Sequence, residues 1–168
     1  FKGVKVGICL HIEAKTGYLV NVLADGGAQI ALCGSNPLTT QNCIVDSLMQ
    51  RGIEVYSRKG MNNFEYVDNI RKVAEFCPDL IIDDGADLTC YLYEHAQDKL
   101  KKIIAGTEET TTGIIRLRKM HSLLFPIMAV NDTPMKCMFD NRFGTAQSTL
   151  AAFLNVTNMS ISGKVVVI

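Results

Sequence analysis

A small set of residues in this sequence can move protons. The carboxylate pair Asp83-Asp84 is followed by Gly85 and Asp87. Two adjacent carboxylates repel when both are buried and ionised, so one of them is expected to have a raised pKa, which suits a general base. The same residues also suit a helix cap or a turn. A second pair, Glu108-Glu109, leads into Thr110-Thr111-Thr112-Gly113. These acids can complement a helix dipole. The three hydroxyls either cap that helix or form a dense donor set for a bound polyol or phosphate. Lys136 and Asp140 stand four apart, hence on one helix face. They read as a surface ion pair worth about 0.3–0.5 kcal/mol, or, with Cys137-Met138-Phe139 between them, as a partly buried lysine able to exchange protons. His11 is either a hydrogen-bonded, half-buried imidazole or an acid–base group. His95 and His121 fall in helical stretches and are assigned no chemistry.

The elements that would position these groups alternate. Short β-branched runs predict strands over Val4–Leu10, Gln29–Cys33, Glu54–Ser57, Leu80–Ile82, Lys102–Ala105, Ile127–Val130 and Lys164–Ile168. Between them, apolar residues at helical spacing predict helices over Lys15–Leu23, Gln41–Arg51, Phe64–Phe76, Thr89–Ala96, Thr112–Leu124 and Met135–Val156. Gly26-Gly27 and Gly52 mark the ends of the first two helices. Strand–helix alternation means an α/β protein, a three-layer parallel sheet with helices on both faces in the Rossmann-like or flavodoxin-like manner. In such a sheet all strand carboxyl ends share one edge, and ligands bind in the crevice outside it. His11, Ser35-Asn36, Thr39-Thr40-Gln41, Asp83-Asp84, Glu108–Thr112 and Asn131-Asp132 each follow a predicted strand. They therefore converge on one rim.

Composition bounds what that rim serves. The chain has 168 residues, with Lys plus Arg at 17 and Asp plus Glu at 17, a net charge of zero. No basic field exists for nucleic acid or an anionic membrane surface. Apolar residues make up 48%, which excludes a disordered chain. The longest apolar run, Leu123–Val130, contains Pro126 and falls far short of the roughly 20 residues of a membrane span. The opening at Phe1 carries no secretory signal pattern. The six cysteines form no C-x-x-C pair or zinc set and read as reduced thiols in a cytoplasmic protein; no metal is expected.

Taken in order, Leu10-His11, Asn36-Pro37-Leu38-Thr39-Thr40-Gln41, Asp83-Asp84-Gly85-Ala86-Asp87-Leu88-Thr89, Glu108-Glu109-Thr110-Thr111-Thr112-Gly113, and Asn131-Asp132 with Lys136 and Phe139-Asp140-Asn141 resemble the S-adenosyl-L-homocysteine hydrolases. The likeness runs from about Val4 to the last residue, and the Glu-Glu-Thr-Thr-Thr-Gly and Lys-x-x-x-Asp-Asn strings carry it.

The resemblance implies an NAD-dependent enzyme that reversibly splits S-adenosylhomocysteine into adenosine and homocysteine. The ribose 3′-hydroxyl is oxidised, the acidified C4′ proton is lost, homocysteine leaves from C5′, water adds, and the ketone is reduced. By motif, Lys136 and Asp140 would handle the 3′-hydroxyl proton, Asp84 would be the base near C4′, and His11 would serve the 5′ position. Glu109 would hold the ribose hydroxyls. Thr110, Thr111, Thr112 and Asn141 would face NAD. Asn36, Thr40 and Gln41 would shape the pocket wall. The resemblance also implies a small-molecule substrate, a homotetramer and a cytoplasmic location.

The sequence departs from that pattern in places. Glu13 and Lys15 stand where many members carry a Thr and a Glu that contact the adenine, so Glu13 is a substrate-site candidate of altered chemistry. Gly85-Ala86 replaces a Gly-Gly, and Asn42 replaces an acid. No G-x-G-x-x-G cofactor turn is present. Residues 1–157 are accordingly expected to form the substrate-binding domain, and 158–168 the joint and first strand of an NAD-binding domain that lies outside the chain. The expected N-terminal helical region and C-terminal tail of the family also lie outside it. A non-catalytic adenosine-binding or regulatory homologue is the alternative from another class, and a flavodoxin-like domain with a different small ligand is the plainest reading.

Overall fold

A computed structural model describes residues 1–167. Strands β1 (Lys5–Leu10), β2 (Gln29–Gly34), β3 (Glu54–Tyr56), β4 (Leu80–Asp83), β5 (Ala105–Glu108) and β6 (Ile127–Ala129) form one sheet in the order β3-β2-β1-β4-β5-β6. Every pairing is parallel. This is the doubly wound Rossmann order, whose direction reverses between β1 and β4. Helices α1 (Ala14–Asp25), α2 (Asn42–Gln50), α3 (Asn63–Glu75), α4 (Asp87–His95), α5 (Gln97–Leu100) and α6 (Thr111–Arg118) supply the connections.

The two faces follow from the period of two along each strand. Val6, Ile8 and Leu10 of β1, with Ile30 and Leu32 of β2, pack under Val20 and Leu23 of α1 and Val45 and Leu48 of α2. The alternate residues Cys9, Ala31, Cys33 and Ile81 pack under Ile70 and Val73 of α3 and Leu88 and Leu92 of α4. Strands buried on both faces lose the alternating pattern and read as continuous apolar runs. Cys9 and Cys33 stand opposite each other in register as small core residues.

The fifth predicted strand begins three residues late. Lys102-Ile103-Ile104 carries the β-branched signal, yet Ile103 fills the core from a turn, and the strand is Ala105-Gly106-Thr107-Glu108. Two of its residues are small and two polar, and Gly106 lies against the Phe125 ring and Ile127. Helix α6 stops at Arg118, short of the expected Leu124. The segment expected as one helix over Met135–Val156 is a π-helix, Lys136–Gly144, followed by α7 (Thr145–Thr157). Lys164–Val167, expected as a strand, is not in one. A strand exists only by pairing its backbone groups with a neighbour, and all six strands of the described residues lie earlier in the chain. Ile168 lies outside the described residues. The chain divides into two compact units, Phe1–Val130 and Asn131–Ile168.

Ile8 is fully buried on the central strand β1. Ile8→Ala is expected to cost about 2–5 kcal/mol. The measurement is a fall in the denaturant midpoint with the slope unchanged.

Candidate active site

The rim forms where the strand order reverses. β1 ends at Leu10 and delivers His11; β4, its neighbour, ends at Asp83 and delivers Asp84. His11 Nε2 lies 3.1 Å from Asp84 Oδ2, and Ser35, just after β2, donates its hydroxyl to the same oxygen at 3.1 Å. The other imidazole nitrogen lies 2.6 Å from Thr39 Oγ1. The imidazole is half exposed, while the Asp84 side chain is 11% exposed. The hydrogen bond to Asp84 raises the His11 pKa above its ordinary 6.5, against burial, which lowers it; the charges of Asp84, Glu109 and Glu13 add to the rise. The pair is therefore an imidazole–carboxylate contact that favours the protonated ring and is open to solvent on one side. It can hold and pass a proton.

The two carboxylates of the Asp83-Asp84 pair do different things. Asp83 points inward, is 1% exposed, and accepts from the Thr89 amide and hydroxyl, each at 2.8 Å, and from the Asp84 amide at 3.0 Å. Burial pushes its pKa up to about 6 against those donors. The inward carboxyl of the pair, Asp83, is thus the structural one, and Asp84 is the one on the rim.

Glu108 holds the rim together. Its side chain is fully buried at the end of β5. It accepts from the amides of Gly85 (2.8 Å), Ala86 (2.9 Å) and Thr110 (3.0 Å). Gly85 and Ala86 have φ of 90° and 60°. The turn they make points their successive N–H groups at one carboxylate, an anion nest. Here the anion is the protein's own glutamate. The departure from Gly-Gly falls on a left-handed position, where an alanine costs about 1–2 kcal/mol. Gly113 is required for a different reason, space: a Cβ there would overlap the Glu108 carboxylate. Burial pushes the Glu108 pKa up to about 7, against the three amides that favour the ionised form.

A polar cavity of about 320 Å³ opens between these loops, lined among others by His11, Asn36, Asp84, Thr110 and Thr112. Asn36 shapes its wall through its own turn, its Oδ1 accepting from the Leu38 amide at 2.8 Å. Other candidates sit elsewhere. Thr40 is buried behind the cavity and shares a hydrogen bond with Ser57 at 3.0 Å. Gln41 precedes α2, its amide bonded to the Ile12 carbonyl, and is not in the wall. Glu13 precedes α1 and pairs with Lys15 at 3.8 Å. Glu109 is exposed beside Thr110, its amide donating to the Asp83 carbonyl at 3.0 Å. Thr111 is exposed at the start of α6 and does not line the cavity.

In the second unit, Lys136 Nζ lies 2.9 Å from Asp140 Oδ2 and donates to Asn141 Oδ1 at 3.0 Å. The Asn141 amide donates in turn to Asn131 Oδ1 at 3.4 Å. The wider π-helical turn, closed by i to i+5 bonds, lets one lysine meet the residues four and five ahead. Its side chain is 16% exposed.

Residues 1–105 match the family model for S-adenosyl-L-homocysteine hydrolase. The chain belongs to the S-adenosyl-L-homocysteine hydrolase family. It is 47% identical to an S-inosyl-L-homocysteine hydrolase of Methanocaldococcus jannaschii over its whole length, 41% of that relative. It is 46% identical to adenosylhomocysteinases of Thermoplasma acidophilum and Sulfolobus acidocaldarius, covering 42% and 40% of them. The chain thus spans about two-fifths of the curated relatives it matches. Among the described residues of this family member, no helix is long and apolar enough to cross a membrane.

The sequence pattern put Ser35 and Glu108 on the rim without giving them a role, and it did not single out Tyr66 or Arg116. Arg116 had a signal, standing four after Thr112 and so on the same helix face. Glu108 had only its place beside Glu109.

Asp83, Glu108 and His11 all have folded-state pKa values above their ordinary ones. The folded state therefore holds more protons than the unfolded chain, and stability falls as pH rises. For Asp83 and Glu108 the fall runs from about pH 4 to about 7; for His11 it begins near 6.5 and ends above it. Melting temperatures should decline from pH 5 to pH 8, and Glu108→Gln should flatten the decline while lowering stability by about 1–3 kcal/mol through an amide facing an amide. In Asp84→Asn, the His11 titration followed by NMR should move down toward 6.5 or below; an unmoved titration would show that Asp84 is not its main partner.

Proposed function

We propose that this chain is the substrate-binding part of an enzyme that reversibly hydrolyses a purine nucleosidyl-homocysteine, S-adenosyl-L-homocysteine or its 6-oxopurine counterpart, to the nucleoside and L-homocysteine. The observation that carries the reading is the His11–Asp84 pair at the point where the strand order reverses, beside a polar cavity. The relatives' names divide between the adenosyl and inosyl forms. Glu13 and Lys15 set an acceptor beside a donor at the start of α1.

The residues divide the proton transfers between them. Asp84, fixed by Ser35 and His11, takes the C4′ proton. His11 protonates the leaving sulfur at C5′ and, in return, deprotonates the incoming water. Glu109 holds the ribose hydroxyls. Lys136, paired with Asp140, takes and returns the 3′-hydroxyl proton. NAD, when bound, supplies the reversible oxidation at C3′ that makes the C4′ proton acidic. Thr110 and Thr112, which line the cavity, carry neutral hydroxyls of the kind a nicotinamide and its ribose require, and within the second unit Asn141, held by Lys136 and Asn131, carries an amide of that kind. Thr111 completes that set at the exposed start of α6.

The same reading assigns 158–168 to the joint and first strand of an NAD-binding domain outside this chain, and places the whole protein as a cytoplasmic homotetramer. It is supported by the relatives' greater length and by α7, which has no buried residue although it carries Leu150, Phe153 and Leu154. In the whole NAD-loaded protein, Lys136→Ala should lower kcat at least 100-fold, within the usual 10²–10⁴ range for a lost acid–base group. Adenosine and inosine tested side by side with homocysteine identify the base. A non-catalytic nucleoside binder would show no turnover with either, and would overturn the proposal.

A further inference from the structure

The cavity contains a cation that the proposed proton transfers do not use. Arg116, on α6, lines the cavity and is about half exposed. Its Nη1 donates to the Gly85 carbonyl and to Asp87 Oδ1, both at 2.5 Å. Asp87 is itself fixed from the other side, its Oδ2 accepting from the Tyr66 hydroxyl at 2.6 Å, and that hydroxyl also reaches the Ser35 carbonyl at 3.1 Å. The guanidinium is thus held in place by the β4–α4 loop and, through Asp87 and Tyr66, by α3. Its Nη2 and Nε protons have no partner among the described residues. They form a fork of the kind that receives a carboxylate bidentately.

The remaining charges narrow the ligand. Asp84 and Asp87 both line the cavity. Two carboxylates repel a dianionic phosphate. A zwitterion fits both signs, placing its carboxylate on Arg116 and its ammonium against Asp87, each of whose oxygens accepts one bond and keeps a free lone pair. From this pairing of a half-spent guanidinium with a half-spent carboxylate, we infer that Arg116 and Asp87 form a subsite for the α-amino acid group of the substrate. Resting on the proposed reaction, the inference makes that group the homocysteine end.

The test is thioether synthesis by the whole NAD-loaded protein from nucleoside and three thiols: homocysteine, its decarboxylated analogue 3-mercaptopropylamine, and its deaminated analogue 4-mercaptobutanoate. Charge-assisted pairs are the stronger class of hydrogen bond. Arg116→Gln should raise the KM for homocysteine and for 4-mercaptobutanoate about 10-fold or more. The KM for 3-mercaptopropylamine and for the nucleoside should move less than about threefold. Arg116→Lys keeps the charge and guards against a loop disturbed by losing the Gly85 contact; it should recover part of the homocysteine KM. An unchanged homocysteine KM, or an equal rise for the decarboxylated thiol, would overturn the subsite while leaving the reaction standing. A wild-type protein that joins neither adenosine nor inosine to homocysteine would instead remove the reaction on which the subsite rests.

Discussion

A buried carboxylate with three amide donors fixes the geometry of this rim. Glu108 ends β5, yet two of its three bonds go to the loop after β4. The third goes to the first residues of its own helix connection. Parallel strands pair along their length but leave their carboxyl-end loops without neighbours of regular structure. A charge that satisfies amides from two such loops at once makes them one rigid piece. The constraint then propagates. Gly85 and Ala86 must take positive φ to aim their amides, Gly113 must lack a side chain to leave room, and Asp84, one residue before the nest, is held on the rim.

That rigidity explains how adjacent aspartates serve opposite ends. Successive residues leaving a strand point to opposite sides, so Asp83 turns into the interior and Asp84 into the cavity. Asp83 meets Thr89 and anchors α4, which carries Asp87. The energetic cost of burying Asp83 and Glu108 appears as raised pKa values. Their hydrogen bonds offset that cost in geometry: fixed loops on which an imidazole and a carboxylate face each other at 3.1 Å.

The fold was readable where the chain is most buried. Val6 to Leu10 and Ile30 to Cys33 announce β1 and β2 because strands covered on both faces need apolar residues throughout. β5 hid because its constraint is the reverse: packed against Phe125 and ending in Glu108, it uses small and polar residues, and the β-branched signal belongs to the turn before it. The convergence of polar residues on one rim followed from parallel topology alone. The partition of that rim did not. Nothing in the spacing distinguishes Asp83 from Asp84, or Thr40, turned in to Ser57, from Asn36, turned out to the cavity.

The π-helix marks the limit of spacing arguments more sharply. Four-residue spacing puts Lys136 and Asp140 on one face of any ordinary helix, and a surface ion pair would account for it. It does not account for Asn141, which an α-helix turns about 100° further around its axis. The widened turn brings all three together and adds Asn131 behind the amide. A lysine that only neutralised a surface acid would gain nothing from a second, neutral acceptor held in place by a third residue. One that must give up and regain a proton at a fixed point does gain, because its ammonium stays oriented whichever partner it leaves. On the proposed reaction, this is the requirement at the 3′-hydroxyl, and it is a different one from that met by His11, whose imidazole stays open to the solvent from which water must come.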